Sequence, residues 1–202
     1  MTYTYIPKTF VSSDIHFNHE KILEYCPNRG NSVDEMNQII IDNWNSVVSP
    51  EDHCFILGDV AMGKISLAPE LIRQLYGTKT LILGNHDKTL KKLIKNDDSL
   101  RDLFVGIHSY FEYTHRIGNK KVMLVMSHFP ISHWNGMHYE DDGSHIASMM
   151  LHGHLHGNHS GLKGRIKDIG MDTNSLFPYL LNDVVEELQK ITPNKHHHGS
   201  QV

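Results

Sequence analysis

The chain has only two cysteines in 202 residues, Cys26 and Cys54. Their spacing fits neither a zinc knuckle nor a disulfide framework, so both read as reduced structural thiols. An excess of positive charge is also missing. Nineteen Lys and Arg stand against 23 Asp and Glu, a net charge of −4. A protein held to nucleic acid by its phosphate backbone is usually basic, so extended nucleic-acid binding gets no support. No apolar run approaches the length needed to cross a membrane. The opening stretch MTYTYIPKTF lacks a basic segment followed by an apolar one, so no secretory signal is expected. These absences together predict a cytoplasmic protein without a membrane partner.

What is present is ordinary globular composition, 39% hydrophobic and 21% charged, with one abundance: 17 histidines. Three of them, His196, His197 and His198, fall in the polar ending KHHHGSQV. Residues 193–202 are expected to be a disordered tail, and 1–192 a single domain. Fourteen histidines remain in the body, four of them in LHGHLHGNH at 151–159. Clusters of this kind bind metal.

Short apolar runs recur along the chain, each followed by a polar cluster: TFVSSDIH, CFILGDV, TLILGNHD, VMLVMSHFP and SMMLHGHLH. Each run is too short for a helix and reads as a buried strand. Helical periodicity fills the gaps. SVDEMNQIIIDNWNSVV spaces Val33, Met36, Ile40, Trp44 and Val47 on one face and opens with Ser32 and Glu35, a capping box. LAPELIRQLYG predicts a helix that stops at Gly77, TLKKLIK a short one, and FPYLLNDVVEELQK one after Pro178. Strand and helix alternate as in βαβ units. After residue 100 the pattern predicts more antiparallel strand, with GNK as a tight turn. The fold class is therefore α/β.

Polar residues that follow buried strands emerge at the strands' carboxyl ends, where α/β sheets bind ligands. Five clusters could converge there: Asp14-Ile15-His16, Gly58-Asp59, Gly84-Asn85-His86-Asp87, His128, and Gly153-His154-Leu155-His156. Asp, His and the Asn carbonyl oxygen all ligate divalent transition metals. In extended backbone, residues two apart share a face, so Asp14 with His16, and His154 with His156, could each grip one cation. The glycines before Asp59, Asn85 and His154 suit sharp exits from strands or close approach. The candidate ligands number seven: Asp14, His16, Asp59, Asn85, His128, His154 and His156. One open site uses about three protein ligands. Seven suit two cations bridged by one carboxylate, and Asp59, central in the series, is the natural bridge.

The ordered set D-x-H, G-D, G-N-H-D, H and G-H-x-H resembles the calcineurin-like metallophosphoesterase superfamily, from residue 14 to 156. The later IGMD is similar to the downstream part of small bacterial and phage members. The resemblance implies a layered α-β-β-α sandwich of two mixed β-sheets, with a dinuclear site at the carboxyl ends of the strands. It implies that Asp14, His16 and His156 hold one metal. Asn85, His128 and His154 hold the other, and Asp59 lies between. His154 and His156 then serve different ions rather than gripping one together. His86 is implied as the general acid for a hydrolysis in which a metal-bridging hydroxide attacks phosphorus. The metals are two divalent ions, Mn, Fe, Ni or Zn, which a mixed nitrogen and oxygen set does not distinguish.

Taken singly, the residues have plainer uses. Asp14 suits a helix N-cap, and Gly58-Asp59 and Asn85 suit turns. His53, His108 and His115 lie in strand-like segments and read as structural, and His19 and Asn18 read as solvent-exposed. His152 is a candidate for supporting the ligands from behind, and His159 for a loop near substrate. Arg29 in CPNRG and His133, beside Trp134 and His138, are candidate substrate contacts, and DDGSH at 141–145 reads as an exposed loop. Protein phosphatases of the superfamily carry GDxVDRG and GNHE, where this chain has GDVAMG and GNHD. Met62 stands where an Asp usually orients the catalytic histidine, which leaves Asp87, or no residue, to orient His86. The departure favours a small phosphate-ester substrate, nucleotides included. The competing readings are a nuclease or nucleic-acid end-processing enzyme on this scaffold, a metal-binding scaffold serving as a protein-interaction module, and a mononuclear zinc site built from His152, His154 and His156. The last would leave Asp59 and G-N-H-D unexplained.

Overall fold

The computed structural model describes residues 5–139 and 146–193. The loop at 141–145 and the tail from residue 194 lie outside them. Three of the short apolar runs and the later Gly106–His108 build one parallel array: β1 (Thr9–Ser12), β2 (His53–Ile56), β3 (Thr78–Ile82) and β4 (Gly106–His108). Thr9 pairs with His53, His53 with Thr78, and Thr80 with Gly106. A two-residue strand, β9 (Tyr179–Leu180), adds antiparallel to β1, so the order is β4-β3-β2-β1-β9.

Parallel neighbours need crossovers, and helices supply them. α1 (Ile22–Tyr25) and α2 (Val33–Val47) lie between β1 and β2, α3 (Ala68–Gln74) between β2 and β3, and α4 (Lys88–Asn96) between β3 and β4. The capping box of α2 forms in part. Ser32 Oγ accepts from the Glu35 amide, while the Glu35 carboxylate accepts from the Asn31 amide rather than from Ser32. The buried stripe of α2 is Met36, Ile40 and Trp44, whereas Val47 is exposed. The Trp44 indole donates to Tyr76 O at 3.0 Å, which satisfies its one polar atom inside the core.

The second sheet contains β5 (Phe111–Ile117), β6 (Lys120–Met126), β7 (Ala147–His152) and β8 (Ile166–Asp168), in that order. β5 and β6 form the expected hairpin, turned at Gly118 with φ 57°. The other two pairs are parallel, so within this mixed sheet the added antiparallel pairing expected after residue 100 is confined to the hairpin. All six residues of β7 are buried. A strand apolar on both faces carries no alternation, so its sequence does not reveal its direction.

Alternation on the first sheet divides the core. Phe10, Cys54, Ile56 and Leu81 face α2, α3 and α4. Val11, Phe55 and Ile82 face Val122, Leu124, Met126, Ala147, Met149 and Leu151 of the second sheet. α5 (Leu181–Gln189) feeds Leu181, Val184, Val185 and Leu188 into this inter-sheet core. The outer face of the second sheet packs Val125 and Met150 on Trp134, Ile131 and Met137. That cover is a turn-rich segment, so among the described residues the second helical layer of the expected α-β-β-α sandwich is not formed there. No helix among these residues is long and apolar enough to cross a membrane. The loops leaving the carboxyl ends of β1, β2, β3, β6 and β7 carry the five polar clusters.

Candidate metal centre

The loops after β1 and β2 continue side by side beyond the sheet. The amides of Asp14, His16 and Phe17 donate to the carbonyls of Gly58, Asp59 and Val60 at 2.9–3.0 Å. Five of the seven candidate ligands sit in the left-handed region: Asp14 (φ 57°), His16 (56°), Asp59 (52°), His154 (73°) and His156 (50°). The pairs two apart therefore do not share a face through extended backbone, as their spacing suggested. They share the cleft because the chain bends at each of them. Such residues cost about 1–3 kcal/mol each and persist where the surroundings over-determine them. Here the surroundings are hydrogen bonds. The Asp87 carboxylate accepts from the amides of Gly84, Asp59 and Val60, Asp59 Oδ1 accepts from the His86 amide, and Asp14 accepts from the His154 amide. Glycine permits the close approach. A Cβ on Gly153 would strike Ser13 Oγ and Asp14 Oδ2, and one on Gly84 would strike Asp59 Oδ1.

The ligand atoms gather into two trios. Those of Asp14, His16 and His156 lie within 4.8 Å of one another, as do those of Asp59, His128 and His154. In the first, His16 Nε2 and His156 Nε2 stand 3.9 and 3.8 Å from Asp14 Oδ1. Asp59 Oδ2 reaches both trios, 3.8 Å from His16 Nε2 and 3.5 Å from His128 Nε2. Asn85 Oδ1 is 3.0 Å from His128 Nε2.

The 3.5–3.9 Å gaps are long for hydrogen bonds. They suit donors that share an ion at about 2.0–2.2 Å, which stand roughly 3–4 Å apart. His16 Nε2 is buried with no hydrogen-bond partner, an orphan that a cation would satisfy. The histidines are also poised as ligands by their other nitrogens. His128 Nδ1 donates to Leu57 O at 2.7 Å, and His156 Nδ1 donates to Asp172 Oδ2 at 2.6 Å. In the neutral ring each then offers a bare Nε2 to the cleft. The donor set fits divalent cations.

Burial, and then the Arg29 guanidinium, push the His16 pKa down to about 2, so that ring is neutral. Burial raises Asp14 to about 6 against the pull of His156 and His128. For Asp59 burial acts upward, but the neighbouring His128 and His16 rings and the His86 amide outweigh it and hold the carboxyl at about 2. The centre thus presents an ionised carboxylate between two sets of imidazoles.

No protein-family model matches the chain. Over 125 residues it is 38% identical to the uncharacterized protein MJ1445 of Methanocaldococcus jannaschii, spanning 54% of this chain and 71% of that protein. The chain belongs to the MJ1445 family. The gene 66 proteins of Mycobacterium phages L5 and D29 are 29% and 26% identical to it, spanning 73% and 72% of this chain and 77% and 76% of theirs. Among solved structures, the protein of unknown function AQ665 from Aquifex aeolicus superposes with a TM-score of 0.63 at 23% identity, covering 90% of this chain and all of that one. That likeness concerns the fold.

In this MJ1445-family chain His16, Asp59, Asn85, His154 and His156 line one cleft of about 500 Å³ with His86, and the buried Asp14 and His128 lie beside them, but the supporting residues differ from expectation. Arg29 is not a substrate contact. It is fully buried, and its guanidinium is spent on Asp172 and on the Asp14 and Ile15 carbonyls. His133 is exposed beside Ser132 and is absent from the residues lining the cleft. Asp87 does not orient His86, since both its oxygens hold backbone amides. Among the described residues the His86 ring makes no hydrogen bond, and its Nε2 lies 3.8 Å from Asp59 Oδ2. His152 is buried with Nδ1 on Gly153 O, and His159 is exposed. His19, read as solvent-exposed, is half-buried. Its Nδ1 is 3.2 Å from His16 Nδ1, and it lines the cleft. Cys26 sits against His156 and Asp172. The residue most clearly missed is Asp172. Its only signal was the IGMD stretch, which follows β8 as the ligand loops follow their own strands.

Proposed function

We propose that the chain is a two-metal phosphoesterase of the calcineurin-like metallophosphoesterase type, hydrolysing small phosphate mono- or diesters. The observation that carries the proposal is the position of Asp59, whose Oδ2 faces His16 Nε2 at 3.8 Å on one side and His128 Nε2 at 3.5 Å on the other. Asp14, His16 and His156 would hold one divalent ion, Asn85, His128 and His154 the second, and Asp59 both. Such a pair neutralises the ester oxygens and brings the pKa of water at the site toward neutrality. Mn, Fe, Ni and Zn all suit the donors.

His86 supplies the proton that the departing oxygen needs. Its side chain is 37% exposed at the cleft, and its amide is fixed on Asp59 Oδ1 at 2.9 Å. A histidine is suited to general-acid work near neutral pH. The cleft volume of about 500 Å³ accommodates a nucleotide-sized ester. The net charge of −4 favours such a substrate over a nucleic acid. Free thiols at Cys26 and Cys54 accord with a cytoplasmic setting.

The test is hydrolysis of p-nitrophenyl phosphate and of its bis-ester with added Mn²⁺, by the wild-type protein and by His86→Ala. The proposal expects metal-dependent turnover that His86→Ala lowers. A preference for one ester separates phosphatase from phosphodiesterase. Turnover of neither, together with no bound metal, overturns the proposal.

A further inference from the structure

Arg29 carries a positive charge at 0% exposure. A buried cation is costly unless it is paired and fully hydrogen-bonded. Arg29 meets both conditions. Nε and Nη2 donate to the two oxygens of Asp172 at 2.8 and 2.7 Å, the bidentate geometry specific to Arg. Nη1 donates to Ile15 O at 2.8 Å, and Nη2 also donates to Asp14 O at 2.6 Å.

These contacts reach one chain segment of the first trio directly and the other through Asp172. The Asp14 and Ile15 carbonyls belong to the loop that bends into the left-handed region at Asp14 and His16. Asp172 Oδ2 accepts from His156 Nδ1 at 2.6 Å. That bond keeps the ring proton on Nδ1 and leaves Nε2 facing Asp14 Oδ1. The segment bearing Asp172 is itself pinned to the same loop, since the Met171 amide donates to Ser13 O at 3.0 Å. The other trio has no direct bond to this pair: His128 is set by Leu57 O, and the His154 amide reaches Arg29 only through Asp14.

We propose that Arg29 and Asp172 are positioning residues that assemble one half of the metal centre and touch the other half only through Asp14. The pair fixes the tautomer of His156 and the bend that presents Asp14 and His16. The proposal rests on the two-metal reading above, and its test separates the two.

The test is Mn²⁺ binding to the full chain, by calorimetry and by electron paramagnetic resonance, for wild type, Asp172→Asn and Arg29→Lys. Asparagine keeps the shape of Asp172 but must set an N–H either against Arg29 or against His156 Nδ1, and the latter drives the ring proton to Nε2. Lysine keeps the charge of Arg29 and loses its fork. The wild type is expected to bind two ions with a spin-coupled signal. Each variant is expected to keep one ion at wild-type affinity, to weaken the other about 10–100-fold, and to lose the coupled signal. Two-ion binding that is unchanged in Asp172→Asn, or weakened equally at both ions, overturns the positioning role and leaves the two-metal reading standing. Wild-type behaviour of Arg29→Lys removes Arg29 from the proposal. A wild type that binds no Mn²⁺ overturns both.

Discussion

The Asp59 carboxylate and the His128 imidazole face each other at 3.5 Å, Oδ2 to Nε2, with both side chains almost wholly buried. His128 has already committed its Nδ1 to Leu57 O, so in the neutral ring the nitrogen that faces Asp59 carries no proton. Two lone pairs meeting in a buried site repel unless a proton or a cation lies between them. The same Asp59 oxygen meets the unpartnered Nε2 of His16 at 3.8 Å.

The proposed two-metal centre makes Asp59→Asn the substitution expected to affect both ions. The amide oxygen can still accept from the His86 amide, so the loop keeps its contact while the charge is lost. Binding of both Mn²⁺ ions is expected to weaken, whereas His128→Ala should weaken one. Mn²⁺ titration distinguishes these outcomes, and two-ion binding at wild-type affinity in Asp59→Asn would sink the shared role.

His86→Ala should separate chemistry from metal binding. The ring makes no hydrogen bond among the described residues and is 37% exposed, so its loss should change stability by no more than about 0.5 kcal/mol. Loss of a general acid lowers turnover about 10²–10⁴-fold. Turnover and metal content measured on the same preparation give the answer. Equal losses in both would make His86 a ligand.

The convergence of the candidate ligands could be read from the sequence because each follows a short buried strand, and those strands end on one edge. That logic depends on strand order and apolar runs, which local sequence carries. The supporting residues could not be read in the same way. Arg29 looks like a surface arginine until its 143-residue reach to Asp172 is seen. Asp87 sits next to His86 yet serves the backbone of the neighbouring loop. The left-handed turns at Asp14 and His154 were hidden because Asp and His are not glycine, and only the surrounding hydrogen bonds hold them there. The direction of β7 was hidden by its burial on both faces.

Removing divalent ions should lower thermal stability. A ligand at 100 times its Kd stabilises the state that binds it by about 2.7 kcal/mol. For a chain of this length each kcal/mol moves Tm by about 2–4 °C. Treatment with EDTA is therefore expected to lower Tm by about 5–10 °C per ion lost, and Mn²⁺ should restore it. A melting curve indifferent to both additions would count against bound metal.

Gly153 tests whether close packing, apart from any ligand chemistry, shapes the centre. A methyl group there would meet Ser13 Oγ and Asp14 Oδ2. Asp14 cannot yield freely, because its carboxylate holds the His154 amide and its carbonyl holds Arg29. Gly153→Ala should therefore cost about 1–3 kcal/mol in overpacking and displace Asp14 from its trio. The control is Gly161→Ala, at φ +76° with nothing within 4 Å of the added methyl, which should incur only the left-handed penalty of about 1–2 kcal/mol. Both variants should melt lower than the wild type, and only Gly153→Ala should also bind Mn²⁺ more weakly at one site. Equal metal binding in the two variants would show that the position of Asp14 does not depend on the space at Gly153.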